Sequence, residues 1–402
     1  MTQKNYDASL LVRYPQGPWP NSFQELLLKA ALWQGQESLL VWREWRNTVD
    51  FDSIDSGSYR LLSQLYYNLR SHPIEDPILL KLKGIYCKIW YKNQLLLHQL
   101  EKVIRAFEAA GISTLLLKGV ALISRYYQNI GCRSMNDLDL LVSSEQVEIA
   151  VQVLENLQWY KKPGESYSRS KHLLSIRHAQ TFINESGLEL DLHWHILHQC
   201  IPELDTAFWQ ASESLQIRGG TVKILNPSDQ LFHVCIHGAR WNSLPPLRWA
   251  VDAWIILQQS PDLDWQRLVN FAEQFHLNQP LYDTLGYLKF VLNAPIPVEV
   301  LEKLAKISNS LNEKILYEHQ LQPFPRIKAT SVILDYYLSF QYRYEEYSLK
   351  CQDEQSGYSE GFFEFLKHQW KLDHVWQVPG ILLQKGWRML HKSISLVFKY
   401  SA

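Results

Sequence analysis

Three features of the sequence predict an α+β fold, a small mixed β-sheet with helices set between two helical regions. Short apolar runs of β-type residues cluster between residues 111 and 225, stretches with apolar residues at helical spacing lie on both sides, and the strand-like run Asp137-Leu138-Asp139-Leu140-Leu141-Val142 falls in the β-rich part. The pattern divides the chain into an N-terminal helical region (1–110), an α/β core (111–225), a helical domain (226–345), and a polar loop followed by a basic amphipathic C-terminal helix (346–402).

Residues 1–20 hold three prolines among aromatics and read as an irregular arm. Helices are expected over Ser22–Arg46, Ser58–Leu69 and Pro77–Ala110. The last carries Ile85, Leu97, Leu100, Ile104 and Phe107 at helical spacing, and Gly111 ends it. Leu115-Leu116-Leu117-Lys118 reads as a short buried strand, Gly119 breaks it, and Val120–Tyr127 reads as a helix. The loop Gln128–Asn136 returns the chain to the Asp-Leu-Asp strand, and Val147–Leu157 is the helix that follows it. His178–Asn184 and Leu188–Trp194, joined by Glu185-Ser186-Gly187, predict a β-hairpin. Asn226-Pro227-Ser228-Asp229 opens the next helical region. Further helices flank Pro245-Pro246 and are punctuated by Pro280, Pro295, Pro297 and Pro323, with a polar loop over 350–361. After Asp373 the tail has no acidic residue and interleaves Lys385, Arg388, Lys392 and Lys399 with apolar positions, which suits packing on the body, a partner or a membrane surface.

The chemistry concentrates in the core. Alternate strand residues share a face, so Asp137 and Asp139 point the same way while Leu138 and Leu140 point toward a core. Paired carboxylates at that spacing raise each other's pKa unless a cation lies between them. A hard ion such as Mg²⁺ (or Mn²⁺), which takes carboxylates together with phosphate oxygens, fits the pair. Strand, glycine turn and helix at Lys118-Gly119 present backbone N–H groups and a positive helix end to phosphate. Lys118 and Arg133 are placed to reach the same anionic oxygens. In the second hairpin strand Glu189, Asp191 and His193 share a face, so either Asp191 or, one pleat away, Glu189 can supply a third carboxylate. His237, with Arg240, Arg248 and Asp252, either builds a polar network between two helices or touches a nucleotide's base or phosphate.

Leu-Lys118-Gly119, then Arg133-Ser-Met-Asn-Asp137-Leu-Asp139-Leu-Leu-Val, then Leu-Asp191-Leu-His-Trp, resembles the signature of the DNA polymerase β-like nucleotidyltransferase superfamily. More closely, it is similar to a bacterial nucleotidyltransferase family often labelled type 5. That likeness runs on through Leu225–His237 and Leu247–Asp252 and covers roughly residues 95–275. It departs from the superfamily at Val120, where serine or a second glycine usually follows the first glycine. The resemblance implies a small mixed nucleotidyltransferase sheet with Asp191 as the third carboxylate. It further implies metal-dependent transfer of an NMP group from an NTP, ATP favoured, to a hydroxyl-type acceptor. The competing expectation is a catalytically inactive nucleotide-binding or scaffold protein on the same fold.

Composition narrows the partners. Lys and Arg total 40 against 41 acidic residues, for a net charge of −1, so no basic field argues for nucleic acid. The acceptor is expected to be a small molecule, a peptide or a protein. Five cysteines without Cys-x-x-Cys spacing fit a reducing compartment. No apolar run approaches the ~20 residues of a membrane span and no leader pattern opens the chain, so a cytoplasmic protein is expected. Neither Gly-x-Ser-x-Gly nor a Walker-type phosphate loop occurs.

Overall fold

In the computed structural model the described residues are 18–162, 174, 177–240, 247–322, 344, 347 and 361–384. The chain separates into two compact units, one of residues 1–167 and 177–321, the other of 168–176 and 322–402. The basic tail positions Lys385, Arg388, Lys392 and Lys399, the polar loop over 350–360 and most of the N-terminal arm lie outside the described residues.

The larger unit opens with α1 (Ser22–Leu32), α2 (Gly35–Thr48), α3 (Ser56–Tyr59), α4 (Leu62–Leu69) and α5 (Ile78–Ala109). The single helix expected over Ser22–Arg46 is broken at Trp33-Gln34. Gly35 starts the next helix at φ 65°, a conformation open to glycine, and Asn21 caps the first through a capping box with Gln24. With 32 residues, α5 is about 48 Å long. Its buried face, Leu82, Ile89, Asn93, Leu96, Leu100, Val103 and Phe107, packs against α4, the sheet and the loop before the Asp-Leu-Asp strand.

The core continues through β1 (Leu115–Leu116), α6 (Lys118–Arg125), β2 (Asp137–Leu141), α7 (Val147–Asn156), β3 (Trp159–Lys161), β4 (Ala179–Asn184), β5 (Glu189–His193), α8 (Pro202–Gln210), β6 (Glu213–Ile217) and β7 (Gly220–Ile224). The seven strands form one mixed sheet in the order β3-β4-β5-β2-β1-β7-β6. β2 is parallel to β5 and antiparallel to β1, so the two carboxylate-bearing strands are neighbours at the centre. Leu138 and Leu140 are fully buried, as the alternation requires. The hairpin β6–β7 turns through Arg218-Gly219 with Gly219 at φ 106°. A Cβ on Gly219 would sit 2.7 Å from the Glu101 carbonyl oxygen of α5, so glycine is needed for that close approach.

Helices α9 (Pro227–Gly238), α10 (Arg248–Gln259), α11 (Trp265–Gln274), α12 (Asn278–Phe290), α13 (Val298–Lys306) and α14 (Leu311–Leu321) complete the unit. Asn226 caps α9 by accepting from the Asp229 N–H, with Pro227 in the first turn. One apolar cluster runs from Trp19 in the N-terminal segment through α9, α10 and α12 to Leu321. Gly238 lets α9 and α10 touch, since a Cβ there would lie 2.3 Å from Trp249 Cγ. Within the smaller unit, α15 (Phe362–Gln369) packs Phe365 and Leu366 with Tyr347 and Val378. Among the described residues no helix is long and apolar enough to cross a membrane.

Candidate active site

The parallel β2–β5 pairing sets Asp139 opposite Asp191, Asp137 opposite Glu189, and Leu141 opposite His193. Asp139 is almost fully buried, and one oxygen, Oδ1, accepts from Lys118 Nζ at 2.6 Å and lies 3.1 Å from His193 Nε2. Burial disfavours its charge, yet Lys118 and His193 hold its carboxyl well below the usual range. Asp191 Oδ1 accepts from Thr181 Oγ1 at 2.7 Å. Glu189 is drawn to Lys162 Nζ at 2.6 Å.

Asp137 is the strained member. Burial first, then the charges of Asp139 and Asp191, push its carboxyl up to about 6 against the pull of Lys118. Asp139, Asp191 and His193 each offer a ligand atom within 4.8 Å of the others. Two carboxylates and an imidazole are a donor set that fits a divalent cation, and Asp137 lies on the same strand outside that group.

Lys118 occupies the junction of β1 and α6 at φ 43°, a left-handed backbone uncommon for a side chain with a Cβ. No side chain caps α6. A Cβ on Gly119 would meet Met135 Sδ at 2.9 Å and Arg133 Nη1 at 3.0 Å, so the glycine allows the 130s loop to close over the helix start.

That loop is fixed from below by Asn93 of α5, whose Nδ2 donates to the Arg133 carbonyl at 2.8 Å and whose Oδ1 accepts from the Met135 N–H. Arg133 sends Nε and Nη2 to the two oxygens of Asp252, each at 2.8 Å. Tyr127 Oη donates to the same carboxylate at 2.6 Å. Burial opposes the Arg133 charge, but Asp252 raises its pKa above the usual arginine range.

A cavity of about 310 Å³ opens in front of these groups. Asp137, Asp139, Lys118, Gly119, Arg133 and His237 all line it; Asp191 lies beside Asp139 on the neighbouring strand. Arg60, Asn136, His233, Arg240, Arg248 and Asp252 are among the other residues of the wall. Arg248 Nη1 donates to the Ser134 carbonyl at 2.7 Å, and burial together with Arg133 lowers its pKa to about 10. Lys92 Nζ donates to Asn136 at the rim. His237 Nε2 lies 2.7 Å from Arg240 Nη2, and burial, then Arg240, hold the imidazole well below its usual pKa.

Sequence reasoning did not reach Arg60, in the turn after α3, and Lys92, on α5, which have no local motif, or Asn93, a polar residue on an apolar helix face. It also left His193 beside the carboxylates without its bond to Asp139. His195, two residues on, turns to Asp205.

Paired aspartates on one strand, a third carboxylate in register on its parallel neighbour and a glycine-opened helix beside them thus stand together at the centre of the sheet. The chain belongs to the family described as uncharacterised nucleotidyltransferases, which it matches over residues 58–293. No curated protein matches it significantly. Among solved structures it is similar to the antibiotic-resistance factor ANT(2'')-Ia, at 12% identity over 46% of this chain and 94% of that one, with a TM-score of 0.33. It is also similar to an antigenic nucleotidyltransferase-like protein from Paracoccidioides brasiliensis, at 16% identity over 54% of this chain and 94% of that one (TM-score 0.35). A third is the lincomycin-bound lincosamide antibiotic adenylyltransferase LnuA, at 14% identity over 41% of this chain and 94% of that one (TM-score 0.27).

Proposed function

We propose that the protein transfers an NMP group from an NTP, ATP favoured, to a hydroxyl-type acceptor on a small molecule, peptide or protein and releases pyrophosphate. The observation that carries this reading is the register of Asp139 with Asp191 beneath a cavity rich in arginine, with Asp137 held at a pKa of about 6 by its neighbours. Asp137, Asp139 and Asp191 would hold Mg²⁺ or Mn²⁺, with His193 as a fourth donor. Bound there, the ion supplies neutralisation of phosphate charge and acidification of the acceptor hydroxyl.

The protein's own residues do the rest. Backbone N–H groups at Gly119 and the uncapped start of α6 receive phosphate oxygens. Lys118 leaves Asp139 for the triphosphate. Arg133 keeps its Asp252 pair and offers Nη1 beside Gly119, while Arg60 and Arg248 add charge across the cavity. His237 lies on the wall facing the nucleotide. Asp191 takes the hydroxyl proton as the acceptor oxygen attacks the α-phosphorus; the bond from the α-phosphorus to the oxygen it shares with the β-phosphorus breaks and pyrophosphate departs. The few cysteines, of which Cys87, Cys132, Cys200 and Cys235 are unpaired, support action in the reducing cytoplasm.

An inactive scaffold would gain stability by losing the Asp137 charge, which argues for turnover. The test is incubation of candidate acceptors with each NTP and Mg²⁺ or Mn²⁺, read as an NMP mass shift. A shift that Asp139→Asn abolishes supports the reading; no shift with any NTP contradicts it.

A further inference from the structure

The cations around the cavity sort into two groups. Lys118 is committed to Asp139 and Arg133 to Asp252. Arg60 and Arg248 stand within the field of Asp137. Arg240 differs from all four. Its hydrogen bond goes to the Nε2 of a neutral imidazole, His237, and among the described residues it has no carboxylate partner. A largely buried guanidinium without a counter-charge is costly to keep, and its planar fork matches a phosphate or carboxylate.

Its surroundings deepen the imbalance. Arg240 lines a recess of about 10 Å³, room for little more than one oxygen atom, together with Lys118, His178, His193, His198 and His237. Among the described residues that line the recess there is no acidic side chain. None of the four imidazoles of the recess, those of His178, His193, His198 and His237, can carry a negative charge to balance Arg240. The imidazoles therefore offer dipoles and no compensation. Gly119, Arg60 and Arg248 line the large cavity without reaching this recess, whereas Lys118, His237 and Arg240 line both.

We infer that the acceptor carries an anionic group, a phosphate or a carboxylate, which Arg240 binds at the histidine-lined end of the cavity. The inference rests on the proposed nucleotidyl transfer, because it assigns the end with Gly119, Arg60 and Arg248 to the triphosphate. A cationic acceptor would meet Arg240 and Lys118 with no acid to receive it apart from the reacting carboxylates. A neutral one would leave the guanidinium uncompensated.

The experiment saturates the full-length protein with a non-hydrolysable ATP analogue and Mg²⁺, then titrates inorganic phosphate and, separately, acetate by calorimetry. At least one anion is expected to bind the loaded protein, Arg240→Gln to weaken it tenfold or more, and the analogue's own affinity to change less than twofold. Arg240→Lys, which keeps the charge and loses the fork, is expected to fall between and serves if the glutamine variant does not fold. Loaded wild-type protein that binds neither anion overturns the inference alone. So does an Arg240→Gln variant that loses analogue and anion equally, since the arginine would then belong to the triphosphate. Wild-type protein that binds no analogue overturns the nucleotidyl-transfer reading and the inference with it.

Discussion

Two ion pairs face the same cavity and are built differently. Lys118 meets a single oxygen of Asp139, with the lysine side chain 24% exposed. Arg133 meets both oxygens of Asp252, with both side chains under 10% exposed and Tyr127 bound to the same carboxylate. A compact ammonium on a flexible stem exchanges partners readily, whereas a buried bidentate fork is locked in its geometry. The first pair is suited to open when a cation and phosphates arrive. The second holds the 130s loop against α10 and keeps the site in shape. Lys118 and Arg133, alike in the sequence as cations flanking the aspartates, thus divide into a partly exposed single contact and a buried fork.

Breaking each pair separates these roles. Asp252→Asn leaves Arg133 buried without its counter-charge and should cost about 3–5 kcal/mol of unfolding free energy, read from denaturant titration. A loss below about 1 kcal/mol would put the pair in the exchangeable class. Lys118→Met should lower NMP transfer by about 10²–10³, as loss of one preorganised electrostatic donor does, while costing less stability than Asp252→Asn, because His193 still meets Asp139. Equal damage to folding and transfer would erase the distinction.

Asp137 and Asp139 sharpen the contrast through pH. The folded-state pKa of Asp137, about 6, lies above the ordinary 3.8, so the native state binds this proton more tightly than the unfolded chain. In chelator-treated protein its contribution is present below about pH 4 and is lost as pH rises through 6, at most about 3 kcal/mol. Asp139 has the opposite sign: its contribution is present at neutral pH and lost on acidification below the ordinary carboxylate range. Asp137→Asn, or Mg²⁺ on the wild type, should flatten the decline between pH 4 and 7 in thermal melts, and an unchanged slope would contradict the crowding. A steric effect is expected at Gly119. An alanine there forces Met135 aside and presses on Arg133, so Gly119→Ala should cost about 1–3 kcal/mol as overpacking does, with partial recovery in Gly119→Ala/Met135→Ala.

What the sequence disclosed was local. The alternation in Asp137–Leu141, the glycine at 119 and the hairpin containing Asp191 each carry a short-range signal, and β1, β2, β4, β5 and the long helix α5 appear where periodicity puts them, whereas β3 was not expected. The hairpin β6–β7 also had a signal, alternating residues around Gly219-Gly220, which went unread. The break at Trp33-Gln34 was masked by helix formers on either side. Partnerships across the fold left no local trace. Arg133 and Asp252 lie 119 residues apart and Asn93 reaches the Arg133 carbonyl across 40, so nothing near Arg133 said that two of its donors were taken. Charge and spacing named Lys118 and Arg133; only the tertiary fold assigned their partners and brought Arg60 to the same cavity.

The most direct test is single-turnover pyrophosphate release from MgATP by four variants with intact thermal unfolding transitions. If Asp137, Asp139 and Asp191 form the reacting cluster, Asp137→Asn, Asp139→Asn and Asp191→Ala should each lose release by more than a hundredfold. Glu189→Ala, which removes the carboxylate tied to Lys162, should stay within tenfold of the wild type. Release that survives within tenfold in Asp139→Asn, or that dies in Glu189→Ala while Asp191→Ala remains active, would contradict the three-carboxylate site.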